Sequence, residues 1–150
     1  MKLSALKTNV ALVEAGRWVE NIPGMGDLRL RVRGGGNKDL RALQERLIAA
    51  VPHEKRIRGL DVETGDRIDG ECLARAALLD WENLTDDTGT VIPYEPGLAL
   101  EMLTDPQFAI FRRAVQWATN AVTVEDEATA KEEVGKSSPP SNGTTSGVTS

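Results

Sequence analysis

The sequence predicts a mainly α (α+β) protein: an N-terminal β-hairpin, a small bundle of about four helices after it, and a disordered C-terminal tail. Three patterns carry that expectation. Leu28, Leu30 and Val32 alternate with Arg29, Arg31 and Arg33, the period of a half-buried strand. Leu40, Leu43, Leu47 and Val51 recur at spacings of three and four, the period of an amphipathic helix. From Lys136 to Ser150 the chain is Ser, Thr, Gly and Pro with no aromatic residue and one valine, so this segment buries too little to offset its chain entropy.

The 150 residues suit one domain and a tail, divided as a weakly ordered 1–15, a helical domain with its hairpin over 16–124, and a disordered acidic and Ser/Thr/Gly/Pro tail over 125–150. Residues 1–15 offer only Val10, Leu12 and Val13 as an apolar cluster. Arg17 to Ile22 and Leu28 to Arg33 then read as two short strands around Pro23-Gly24-Met25-Gly26-Asp27, with Trp18 on the apolar side and the arginines outside. After Gly34-Gly35-Gly36, Asn37 is a good N-cap for a helix to about Val51; Asp39 complements the helix dipole and Pro52 stops the helix.

Residues 52–66 read as an extended connector with room for a third strand, closed by a turn at Glu63-Thr64-Gly65-Asp66. A second helix fits Arg67 to Trp81, with Ile68, Cys72, Ala76 and Leu79 on one stripe and Gly70 weakening its start by roughly 1 kcal/mol relative to Ala. Asp86-Asp87-Thr88-Gly89 supplies turn chemistry, and Pro96 suits the first position of a short helix through Leu103. Asp105-Pro106 caps and starts the last helix. There Phe108, Phe111, Val115, Ala118 and Val122 form one apolar stripe, and Ile110, Ala114, Trp117 and Ala121 a second on nearly the opposite face. Such a helix is either sandwiched in the core, the ordinary case, or offers its second stripe to a partner.

Composition narrows the chemistry. Serine occurs only at position 4 and from 137 onward, which removes a serine nucleophile from the folded part. One cysteine, Cys72, permits no intramolecular disulfide and suits a reducing cytoplasm; on a buried stripe its thiol is inert, and with His53 as the sole histidine a tetrahedral zinc site lacks ligands. A calcium loop aligned on Gly89 puts Leu84 at the first ligand position, where it cannot coordinate. Asp61, Glu63, Asp66 and Asp69 read as a solvated loop rather than a magnesium site, and the three glycines lack the Lys-Ser/Thr of a phosphate loop. No metal or cofactor is expected. Net charge is −5, but residues 1–60 carry twelve Lys/Arg against six Asp/Glu and residues 61–150 six against seventeen. The stripe of Arg29, Arg31 and Arg33 is a candidate for phosphate contact, yet without interleaved aromatics it reads better as a soluble strand face, and nucleic acid is not an expected partner. No secretory leader or membrane span is apparent in the apolar patterning, which reads as a soluble, unprocessed chain.

Trp81, Asp86-Asp87-x-Gly89, Ile92-Pro93-Tyr94-x-Pro96, Leu103, Asp105-Pro106, Phe108 and Phe111, preceded by Asn37 and Leu40-Arg41 after an Arg-rich hairpin, resemble the tail assembly chaperones of long-tailed (siphovirus-type) bacteriophages and prophages. The likeness spans roughly residues 16 to 122. Two positions depart from it: Glu95 stands where a short capping residue such as Ser is expected, and Gly97 where an acidic helix former is commoner. The resemblance implies a helical, non-enzymatic protein of the host bacterial cytoplasm, absent from the finished particle, which coats the tape measure protein and helps recruit tail tube subunits. It also implies that a longer, frameshifted form can exist. Trp81, Tyr94, Ile110, Ala114, Trp117 and Ala121 are the candidate partner-binding residues, with self-association left open. The alternative is a structural virion component, a tail-end or head-to-tail joining protein.

Overall fold

The computed structural model describes residues 1–124; the expected disordered tail, 125–150, lies outside them. Residues 1–9 hold one 3₁₀ turn, Leu3–Leu6, with no buried side chain. The compact unit is Val10–Thr123. Its elements are α1 (Val10–Ala15), β1 (Arg17–Val19), β2 (Arg29–Val32), α2 (Lys38–Ala49), α3 (His53–Arg56), α4 (Val62–Ala76), β3 (Leu78–Glu82), α5 (Pro96–Thr104) and α6 (Ala109–Thr123), with a 3₁₀ turn Pro106–Phe108 leading into α6. The α+β expectation holds. The N-terminal segment is more structured than its sparse pattern suggested: α1 buries Val13, against which Gly34 packs so closely that a Cβ there would lie 2.8 Å from a Val13 methyl.

The hairpin forms as an antiparallel pair with Trp18 opposite Arg31 and Val19 opposite Leu30. Leu28, Leu30 and Val32 are buried, as the alternation predicts. Trp18 is not on that side. Its register places it on the arginine face, where the Arg29 guanidinium lies 4.9 Å from its ring centre. In so short a strand the cation–π contact and a half-wet setting suit the indole better than the packed interior.

The third strand comes from an unexpected place. Residues 52–66 hold no strand; α3 lies there, and α4 starts at Val62 with Asp61 as its N-cap, the Asp61 carboxylate accepting from the Thr64 N–H at 2.7 Å. Glu63 to Asp66 is therefore helix, not turn. At the other end α4 stops at Ala76, and Leu78–Glu82 pairs with β2, Leu30 facing Trp81 and Arg31 facing Asp80. The stop has a tertiary cause. The buried Asn37 side chain caps α2 by accepting from the Leu40 N–H, and its amide donates to Gly34 O and to Ala76 O, both at 2.8 Å. The next carbonyl, Ala77 O, receives the Arg33 N–H at 2.9 Å. Both oxygens that would extend the helix are thus engaged from other elements.

Gly70 also has a reason that helix propensity hides. The C-terminal end of α5 crosses α4 there, and a Cβ on Gly70 would sit 2.0 Å from Leu103 O. At the start of α5, Glu95 turns out to be a competent N-cap: one carboxylate oxygen accepts from the Gly97 N–H and the other from the Leu98 N–H, each at 2.9 Å. A small residue at 97 leaves room for that carboxylate, so the two departures from the resembled pattern compensate one another.

The main core lies between the sheet and helices α4, α5 and α6, with Leu30, Val32, Leu103 and Val115 at its centre. A smaller cluster of Leu43, Ile68, Cys72 and Ala76 joins α2 to α4. Among the described residues no helix is long and apolar enough to cross a membrane.

Candidate functional site

The last helix decides between its two readings by being one-sided. Phe111, Val115, Ala118 and Val122 are buried against β1, β2 and α5, whereas Ile110 is 61% exposed and Trp117 42%. Ala114 belongs to the buried side at 5%, and Ala121 is half-buried. The second stripe is thus split: Ile110 and Trp117 remain outward, and Ala114 gives its methyl to the core. Phe108, expected in the core stripe, is 40% exposed, because the 3₁₀ turn that carries it rotates it out of phase with α6.

Facing this exposed side of α6 is the loop between β1 and β2. Its ends are anchored by the buried Ile22 and Leu28. Inside it, Met25 N–H donates to Ile22 O at 3.0 Å and Leu28 N–H to Met25 O at 3.1 Å, with Asn21, Gly24 and Gly26 at positive φ. The Asn83 amide donates to Asp27 O at 2.9 Å, tying the loop to the end of β3. Two concavities flank the half-buried Met25. One, of about 440 Å³, is lined by Met25, Leu28, Leu84, Met102, Phe108 and Ile110 among others. The next, of about 190 Å³, is lined by Ile22, Pro23, Met25, Ile110, Arg113, Ala114 and Trp117. They share Met25 and Ile110 and so form one apolar groove. Because its loop wall is hydrogen-bonded at both ends, the groove is preformed.

The remaining predicted site residues lie elsewhere. Trp81 is 4% exposed and is a core residue: its indole N–H donates to Ile92 O at 2.8 Å, and its ring meets Tyr94 and Phe111 edge-on at centroid distances of 5.0 and 6.0 Å. It holds the 83–96 connection against α6. Tyr94 is half-buried and lines a separate concavity of about 550 Å³ with Leu78, Leu79, Pro96 and Leu100. The arginine stripe is largely consumed internally. Arg29 pairs with Glu82 and Glu20. Arg33, just past the end of β2, bonds Glu14 of α1 at 2.9 Å and Asp39 of α2 at 2.8 Å, and of the three only Arg31 is fully outward, in register with Asp80.

Asp86 and Cys72 are likewise committed. One Asp86 carboxylate oxygen accepts from Thr88 N–H, Thr88 Oγ1 and Thr90 N–H, so this loop satisfies its own carboxylate, which lies below the usual carboxylate value for that reason. Cys72 is buried, and desolvation pushes its thiol up, away from the reactive thiolate. Among the described residues no group of His, Cys, Asp and Glu could hold a metal ion.

Of the residues lining this groove, sequence reasoning singled out Ile110, Ala114 and Trp117 and passed over Met25, Phe108 and Arg113 as site residues. A methionine between two glycines in a turn was the available signal for Met25, since an apolar side chain with no strand or helix to bury it needs another reason. Nothing local marked Arg113.

The fold and this surface define a small α+β protein with an apolar, preformed groove along the exposed side of α6. A family model described as the YdaY prophage protein matches residues 35–136, more than half of the chain, and the chain belongs to that family. The match takes in α2 to α6 and begins just after the hairpin. No curated protein and no solved structure matches. The prophage origin implied by the resemblance is thus shown.

Proposed function

We propose that this prophage protein acts without catalysis as a tail assembly chaperone, binding the tape measure protein of its own prophage in the host cytoplasm and helping to recruit tail tube subunits. One observation carries the reading: Phe108, Ile110 and Trp117 are exposed along a preformed groove in a chain that otherwise buries its large aromatic side chains or pairs them. A client that is long, helical and apolar on one side needs such a surface. Membership of a prophage family and the motif resemblance over residues 16 to 122 support the same reading.

The test is co-expression with the tape measure protein encoded in the same gene cluster. A soluble complex is expected, with the tape measure aggregating when made alone. Equal solubility alone and no complex would contradict the proposal. Mass spectrometry of purified particles separates it from a structural role: the chain is expected to be absent, whereas a fixed copy number per particle would mark a tail-end or joining protein.

A further inference from the structure

The groove is chemically uneven in a way that specifies its occupant. Along α6 its wall presents Ile110 and Trp117, seven residues apart, hence about 10 Å along the axis, the repeat at which a second helix places its own apolar residues. Among the residues lining the two concavities, Arg113 is the one charged side chain. It is exposed, and no ion pair engages it among the described residues, whereas its neighbour Arg112 pairs with Asp66 at 3.5 Å. An acidic chain, net charge −5, thus keeps an unpaired cation beside its exposed tryptophan.

A second copy of the chain fits this surface poorly. A two-fold contact centred between Ile110 and Trp117 would set Arg113 close to its own copy. The exposed parts of Phe108, Ile110 and Trp117 amount to on the order of 300 Å² along one helix face. That area suits a single helix laid into the groove.

We infer that the groove takes one amphipathic α-helix of another chain, seated by aliphatic side chains spaced i, i+3 or i+4, and i+7, with an Asp or Glu beside them paired to Arg113. This rests on the chaperone reading and specifies which part of the tape measure protein is bound: helical segments whose apolar stripe is flanked by acid.

The test uses the full chain in complex with the tape measure protein, a photoreactive residue in place of Gln107 on the groove wall to locate the bound segment, and the Arg113→Glu variant. The cross-linked segment should have the stated pattern. Arg113→Glu should weaken binding about tenfold at low salt without moving the melting temperature, and an acidic-to-Lys change in the bound segment should restore it. A complex insensitive to Arg113→Glu, or cross-links to a segment without acid, would overturn this inference and leave the chaperone reading standing. Cross-links between two copies of the chain would overturn it in favour of a homodimer. Absence of any complex would overturn both.

Discussion

Gly70 and Leu103 meet across the α4–α5 crossing so closely that a methyl group on Gly70 would lie 2.0 Å from the Leu103 carbonyl oxygen. Both residues are backbone at that point, so no rotamer change relieves the clash. Helix propensity alone predicts that Gly70→Ala stabilises α4 by roughly 1 kcal/mol. The crossing predicts the opposite sign, a loss of about 2 kcal/mol or more as the helices are forced apart. Urea denaturation of the variant decides between them through its midpoint.

Asn37 joins three elements with one side chain, capping α2 and donating to Gly34 O and Ala76 O while fully buried, at 0% exposure. Asn37→Ala removes the cap, worth about 1 kcal/mol, and leaves the Ala76 carbonyl without this donor, which costs about a further 1–3 kcal/mol. Asn37→Asp retains the capping oxygen but loses the donors and buries a charge. It is expected to be no better than Ala in thermal denaturation. If Asp behaves as wild type, the cap is what matters and the bond to Ala76 contributes little.

Asp61 and Asp86 give the fold an acid-sensitive arm. Hydrogen bonds from Thr64 to Asp61, and from Thr88 and Thr90 to Asp86, hold both carboxyls below the ordinary value of 3.8. A lowered folded pKa means that the stabilisation is complete above the unfolded value and is lost as pH falls through the folded one. The contribution of these two carboxyls should therefore be complete down to about pH 5 and then decline, and Asp86→Asn should remove its share of that decline. Urea midpoints across this range for wild type and variant check the direction.

Much of the fold was legible because local chemistry agreed with it. The hairpin alternation, the Asn37 cap, Pro96 at the start of α5 and Asp105-Pro106 before α6 act within a few residues. What escaped depended on distant partners. Leu78 to Trp81 continues an apolar helical run, and the bonds from Asn37 to Ala76 and from Arg33 to Ala77, with the pairing to β2, turn it into a strand. Trp81, an interface candidate by residue type, proved to be the aromatic centre between Tyr94 and Phe111. At the groove, periodicity identified Ile110 and Trp117 but could not show that Met25, more than eighty residues earlier, forms the facing wall.

The central claim is that the exposed side of α6 binds the client, and its most direct measurement is the affinity of the Trp117→Ala variant for the tape measure protein, set beside its melting temperature. With 42% of its surface exposed in the free chain, Trp117 contributes modestly to the core. The account predicts about thirtyfold weaker binding, the loss of a hot-spot aromatic, with a melting temperature lowered by no more than a few degrees. Unchanged affinity with a large drop in melting temperature would contradict it and make Trp117 a structural residue.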